Sequence, residues 1–376
     1  MSDVLRDLCI YCSCYEIPRN YALWSAIGLL SATVNRKVRI MQGDIPINCG
    51  MYIGLVGPQG NGKTTAMRFA RNIFVACCPE VPLGPSQQSR EDIVKFMSSD
   101  DCLNSYTNSS NGRPEELRVY SFFINEFKNF VSYNPAGMLS FLTDIYDEDR
   151  FKASTIKRGL EDIINPCLTI LACETPEWIV RNLKSDIISG GFSRRMLYIN
   201  EPRRGEGVEC KPRPVITTEA KLAKERIYTT IHHLKTINGE FAWSTEAGEF
   251  FDSWYRQSRK HTVDDPNLSG YLWTKNVQLL KVAMLLALCE DTTTMILQKT
   301  HVELALALLD NIEPNLNKLF VPAGRNEMAA STQKILDILE ENKGWIQEKE
   351  LKWRMDRDLK LIEQFQVMRL LKETER

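Results

Sequence analysis

An α/β architecture with a mainly parallel sheet is what the sequence predicts, and three observations predict it. Four short, strongly apolar runs recur through the first two hundred residues, each bounded by Gly, Pro, Asn or an acid. Stretches of helical periodicity separate them, the alternation that lays helices over parallel strands. The first run leads into a glycine-rich turn and then a helix. The bulk numbers agree. A length of 376 residues suits two or three domains. With 43% hydrophobic and 25% charged residues, the composition is that of ordinary globular protein. Lys plus Arg number 47 against 48 Asp plus Glu, so any basic surface is local, and the total neither excludes nor advertises a nucleic-acid partner.

The elements follow in order. "YALWSAIGLLSATV" (Tyr21 to Val34) reads as a mostly apolar helix, and "RKVRIMQGDIPI" (Arg36 to Ile47) as a hairpin turning at Gly43-Asp44. "MYIGLVG" is a buried strand ending at Gly57, and "TTAMRFARNIF" is helical. Residues 104–116 are polar and turn-rich and read as a loop. Further strands are expected in Arg118–Phe127, Asn165–Trp178 and Gly190–Asn200. Glu201–Pro214 has linker composition, and the pattern from there to about Gly324 is helical. The tail from Ser331 reads as three short helices resembling a winged-helix unit whose wing would follow Arg376. The predicted organisation is an N-terminal helical and hairpin segment (1–48), an α/β core (49–204), a helical lid (205–325) and a small winged-helix-like tail with its wing absent (326–376).

The longest apolar runs are far shorter than the roughly 20 residues of a membrane span. The acidic N-terminus lacks signal-peptide character. Eleven scattered cysteines fit a reducing compartment, so a cytoplasmic location away from membranes is expected. Cys9, Cys12 and Cys14 have the spacing of half a metal site, but no further ligands follow, and they read as packing residues of an N-terminal helix.

Gly57, Gly62, Lys63 and Thr64 satisfy G-x-x-x-x-G-K-[ST] in the required strand–loop–helix context. The loop Gly57, Pro58, Gln59, Gly60, Asn61, Gly62 and on to Thr65 can wrap a phosphate with its backbone N–H groups, of which Pro58 has none. Lys63 would reach the β- and γ-phosphates of ATP, and Thr64 would hold Mg²⁺. A phosphate loop needs an acidic strand end nearby. "VYSFFINEF" supplies Glu126 to polarise water, preceded by Asn125, which brings no charge where an acid commonly stands. Next, "LTILACETPEW" ends in Glu174-Thr175; Thr175 can touch the water or the γ-phosphate, or can cap the following helix. "GGFSRRML" places Arg194 and Arg195 before the last strand, either as a finger into a neighbouring subunit's site or as surface cations for a nucleic acid. Between these strands, "KASTIKRG" has the makings of a hairpin. Its cations Lys152, Lys157 and Arg158 would either line the pore of a ring and track a phosphate backbone or belong to a solvated loop. A rival basic cluster, Lys349, Lys352, Arg354 and Arg357, lies in the tail.

In this order, "VGPQGNGKT", "FFINEF", "FLTDIYDED…INPCLTILACETPEWI" and "GGFSRRMLYI" resemble the ATPase domain of phage, plasmid and genomic-island replication proteins of primase–helicase type, an AAA+ fold close to superfamily-3 helicases. The resemblance covers roughly Tyr21 to Leu319. It implies a hexameric ring with ATP and Mg²⁺ at subunit interfaces and movement on single-stranded or forked DNA, with a primase or replication initiator as a separate partner. Carried over by position, Glu126 is the catalytic glutamate, Thr175 the first sensor and Arg194 the finger, with Lys275 or Lys281 as the lid's second sensor. Asn125 leaves an alternative open: a nucleotide-gated assembly, loader or defence ATPase with slow turnover.

Overall fold

The computed structural model describes residues 4–155, 159–182, 191–201, 208–260, 266–324 and 350–351. Helices α1 (Val4–Cys12) and α2 (Arg19–Val34) lead into the hairpin β1 (Val38–Gln42) and β2 (Ile45–Asn48). The central strand β3 (Tyr52–Val56) is followed by α3 (Lys63–Cys77), α4 (Arg90–Ser98) and the antiparallel pair β4 (Leu103–Thr107) and β5 (Pro114–Ile124). Helices α5 (Phe127–Phe130) and α6 (Pro135–Tyr146) precede a second hairpin, β6 (Arg150–Thr155) and β7 (Gly159–Ile164). Then come β8 (Pro166–Glu174), α7 (Pro176–Asn182) and β9 (Met196–Asn200). The remaining elements are α8 (Thr218–Leu234), β10 (Gly239–Trp243), α9 (Thr245–Ser258), α10 (Pro266–Glu290), β11 (Ile296–Leu297) and α11 (Lys299–Gly324).

Two larger sheets organise the α/β fold. The five-stranded sheet has the order β4-β5-β8-β3-β9, parallel except for the edge strand β4. Every residue of β3, β8 and β9 is buried, as a parallel sheet covered on both faces requires. The four-stranded sheet has the order β11-β10-β1-β2. Two of its strands were expected as helix: β10 and β11 lie in the region read as an all-helical lid. β10 pairs in parallel with β1, Val38 opposite Gly239, and α1 packs on α8. Residues 1–48 are therefore knitted to the segment after residue 208 rather than standing as a separate N-terminal piece. Residues 1–316 form one compact unit and residues 317–376 a second. The expected winged-helix-like tail lies outside the described residues except for the helical pair 350–351.

Residues 104–116, read as a loop, contain most of β4 and the start of β5. β4 is polar because it is an edge strand with alternate residues facing outward. Among the described residues, one helical window, Gly270–Glu290 in α10, is long and apolar enough to cross a membrane by composition alone, although 67% of it is buried inside the fold. Uninterrupted apolar runs had concealed it, because Lys275, Gln278 and Lys281 punctuate the window.

Candidate functional site

The glycine-rich loop lies at the carboxyl end of β3, between the ends of β8 and β9. It is clamped from behind. Tyr21 Oη, on α2, donates to the Val56 carbonyl at 2.6 Å. Asn61 is 2% exposed, and its Nδ2 donates to the Glu201 carbonyl at 2.9 Å and to Tyr21 Oη at 3.3 Å. Gly57 has no room for a side chain: a Cβ would lie 2.2 Å from Tyr21 Oη and 2.8 Å from the Glu201 carbonyl. Gly62 closes the loop with φ 80°, in the left-handed region that favours glycine. Pro58, Gln59 and Gly60 form the exposed outer turn.

The loop fits an anion. Helix α3 starts with no side-chain cap and no acid in its first turn, so its first amides are not taken up by the protein's own carboxylates. Lys63 is 8% exposed and donates to the carbonyls of Gly57 and Pro58, the latter at 2.6 Å. Burial pulls its pKa below the ordinary lysine value, and Cys173, Glu174 and Glu177 oppose that shift. A cation held by two carbonyls of the glycine-rich loop itself can exchange them for the oxygens of an anion. Thr64 and Thr65 are half-buried in the first turn, and the Thr64 hydroxyl hydrogen-bonds the Cys173 side chain.

β8 lies between β3 and β5, as expected for the strand that ends in Thr175. Val56 stands opposite Glu174, and Ile124 opposite Ala172, so Gly57, Glu126 and Thr175 emerge at the same edge of the sheet. Asn125 and Glu126 are exposed. The Glu126 carboxylate accepts from Asn129 Nδ2 at 2.9 Å and pairs with Lys128 Nζ at 3.2 Å. Aromatic packing anchors this corner: the Phe127 ring lies against Phe192 and Trp178 with centroids 5.9 Å away in each case. The Thr175 hydroxyl lies 3.4 Å from Glu174 Oε1, and its carbonyl accepts the Ile179 N–H at the start of α7. Both the sensor and the helix-start readings of Thr175 are compatible with that position.

Arg194 and Arg195 precede β9, whose Met196 stands opposite Tyr52 and whose Asn200 stands opposite Val56. The arginines therefore lie at the amino end of the sheet, about 16 Å of strand from the phosphate loop. Arg195 is committed locally: it pairs with Asp147 at 2.8 Å and donates to the Gly191 carbonyl at 3.1 Å. The Arg194 side chain is exposed and makes no hydrogen bond or ion pair among the described residues.

The structure does not bring the expected lid lysines to the phosphate loop. Lys281 is 3% exposed and donates to the Gly50 carbonyl at 2.6 Å and to Tyr146 Oη at 3.0 Å, which places it before β3, at the edge opposite the loop. Lys275 is held in ion pairs with Asp310 and Glu313 on α11. Sequence position alone misplaced both, because helical pattern does not say which end of a distant sheet a helix crosses.

The β6–β7 hairpin forms as expected, with Arg150 opposite Ile164 and Thr155 opposite Gly159. Lys152 is exposed, opposite Asp162. Lys157 and Arg158, and the tail cations Lys349, Lys352, Arg354 and Arg357, lie outside the described residues. Of the N-terminal cysteines, Cys12 and Cys14 are buried, and burial pushes the Cys12 thiol far above its usual range.

Sequence reasoning passed over three participants: Tyr21, Glu201 and Glu174. Glu174 left one signal, an acid closing an otherwise apolar strand. Taken together, fold and site define an α/β protein with mostly parallel sheets and a glycine-rich strand–loop–helix at a sheet edge. Comparison with known proteins gives no matching family model and no matching curated sequence.

Proposed function

We propose that this chain is an ATP-dependent, ring-forming DNA helicase or translocase of a mobile genetic element, with an AAA+ core, acting in the cytoplasm. One observation carries the reading. Gly57–Thr65, Asn125–Glu126 and Glu174–Thr175 share one sheet edge, whereas the unpaired Arg194 stands at the opposite edge. The first group has the parts of a nucleotide site. Lys63 and the α3 amides would hold phosphate, Thr64 would ligate Mg²⁺, Glu126 would orient and deprotonate water, and Thr175 would monitor its position. Bound ATP supplies the phosphoryl group whose transfer to water drives the machine. For Glu126 to act, its carboxylate leaves Lys128 and Asn129.

Arg194 completes a neighbour's site rather than its own, which requires an oligomer; a hexamer is the proposed form. Single-stranded or forked DNA threads past the β6–β7 hairpins, whose cations Lys152, Lys157 and Arg158 meet backbone phosphates without reading sequence. A primase or replication initiator is a separate partner.

A second reading has its own support. Asn125 carries no charge, and Glu126 is tied to its own turn, features suited to a slow, nucleotide-gated assembly or loader ATPase. The rate of ATP hydrolysis with and without single-stranded DNA at low salt separates the two. The motor reading expects a rise of about tenfold or more that disappears when Lys152, Lys157 and Arg158 are changed together to alanine. A DNA-independent rate sinks it in favour of the module.

A further inference from the structure

Three side chains stand where the acid of a nucleotide–metal site is needed. Asn125 is neutral, Glu126 is half exposed, and Glu174 is 5% exposed. Glu174 closes a strand whose nine residues are all buried, directly beside the phosphate-loop strand. Its backbone carbonyl accepts the Gly57 N–H at 3.3 Å, which fixes it to the first residue of the loop. Its carboxylate accepts two backbone amides, Thr175 N–H on Oε1 at 2.8 Å and Lys128 N–H on Oε2 at 2.7 Å. The second amide belongs to α5, two residues after Glu126.

A buried carboxylate is costly unless hydrogen bonds and a counter-charge offset its lost hydration. The two amides supply the hydrogen bonds. Lys63 is a cation within electrostatic reach, although its Nζ is held by the loop carbonyls and not by the carboxylate. Lys63 is also the residue that must turn toward phosphate when nucleotide binds. That movement takes the counter-charge away from Glu174, while Oε2 of the carboxylate, which accepts from the Lys128 amide, retains a further lone pair. A hydrated divalent cation at the nucleotide restores the balance.

We propose that Glu174 supplies, from the neighbouring strand, the negative charge that Asn125 leaves out of the nucleotide–cation site, and that through the Lys128 amide it positions the segment bearing Glu126. The proposal rests on the nucleotide reading of the loop and adds to it a relocated acid. It acts through the cation's water shell and through a backbone amide, so Glu174 is a positioning residue.

The test is equilibrium binding of a fluorescent, non-hydrolysable ATP analogue to the full chain, first in EDTA and then across a Mg²⁺ titration. For Glu174→Gln, metal-free affinity stays within about twofold of wild type. The Mg²⁺ concentration giving half of the metal-dependent gain rises about tenfold or more, the scale on which a neighbouring charge shifts an ionic equilibrium. Adding Asn125→Asp to that variant returns the midpoint to within about threefold of wild type, because the charge is restored one strand away. A purely structural Glu174 gives no such rescue. Asn125→Asp in the native background disturbs nothing at Glu174 and moves the midpoint by less than about threefold, since the charge is already present. A tenfold drop there would mean that the site lacks an acid, and the proposal fails. It fails equally if Glu174→Gln titrates like wild type, or if the double variant binds metal-free nucleotide normally but keeps the shifted midpoint. Absence of nucleotide binding by the wild-type chain, with or without Mg²⁺, defeats the nucleotide reading itself and is distinct from these results.

Discussion

Replacing Tyr21 with Phe isolates the clamp that shapes the phosphate loop. Tyr21 is fully buried, and burial pushes its phenol far above the usual tyrosine range, so the hydroxyl is a neutral donor at any working pH. The substitution keeps the ring and its packing and removes one hydroxyl. Three hydrogen bonds go with it: a short one to the Val56 carbonyl at 2.6 Å, one from Asn61 Nδ2 at 3.3 Å and a long one to the Glu201 carbonyl at 3.5 Å. No partner is orphaned. Val56 O still accepts the Glu201 N–H at 3.0 Å, and Asn61 Nδ2 still donates to the Glu201 carbonyl at 2.9 Å. The cost is therefore that of a net hydrogen bond, about 1 kcal/mol, and not the larger penalty of a buried unsatisfied group. In a unit of this size that lowers the melting temperature by about 2 °C. If the whole loss falls on the loop's bound geometry, affinity for an ATP analogue drops by about fivefold. Thermal unfolding with and without the analogue reads both numbers. A melting point within about half a degree of wild type, together with unchanged affinity, would show that Tyr21 does not hold the loop.

Glu126→Gln keeps the size of the side chain and loses its basicity, so ATP binding persists while single-turnover hydrolysis falls by at least about 100-fold; a near-native rate would move the catalytic acid elsewhere, with Asp144 and Asp147 next to test. Arg194→Ala leaves analogue binding by each subunit largely intact and cuts hydrolysis by ~10³-fold or more. Mixing Arg194→Ala with Lys63→Ala subunits restores part of the activity, because some interfaces then pair an intact loop with an intact arginine. Mixed oligomers that form without any rescue would place Arg194 on nucleic acid instead.

What the sequence discloses follows the range of the interactions involved. The glycine-rich strand–loop–helix was legible because strand, turn glycines and helix start lie close together in the sequence and each has a local reason. β3, β5, β8 and β9 were legible because strands buried on both faces are apolar throughout. β10 was not, since its partner β1 lies two hundred residues earlier, and five residues ending in Phe-Ala-Trp look the same in a helix. β4 was hidden by its edge position, where polar residues are tolerated. The buried carboxylate of Glu174 went unseen beside Thr175 for a related reason. One of its donors is the amide of Lys128 on another element, and no spacing within "ACETPEW" reveals that. Lys281 looked like a lid cation until the chain path carried it to Gly50, at the other end of β3.

The separation between the two sheet edges has a consequence for assembly. A strand of β3's length is rigid, and Arg194 cannot cross it to reach the loop of its own chain. On the proposed reading, the exposed Arg194 at one edge and the nucleotide site at the other are complementary surfaces on opposite sides of one unit. Contacts of that kind are heterologous, and repeated with a closing rotation they generate rings. On the proposed reading, a lone subunit binds nucleotide but lacks the cation that stabilises charge building on the transferring phosphoryl group. Hydrolysis per subunit should then rise steeply with protein concentration, in parallel with assembly, while binding per subunit does not. On the same reading the self-paired Glu126 reinforces this dependence, because its carboxylate must leave Lys128 and Asn129 before it can act on water.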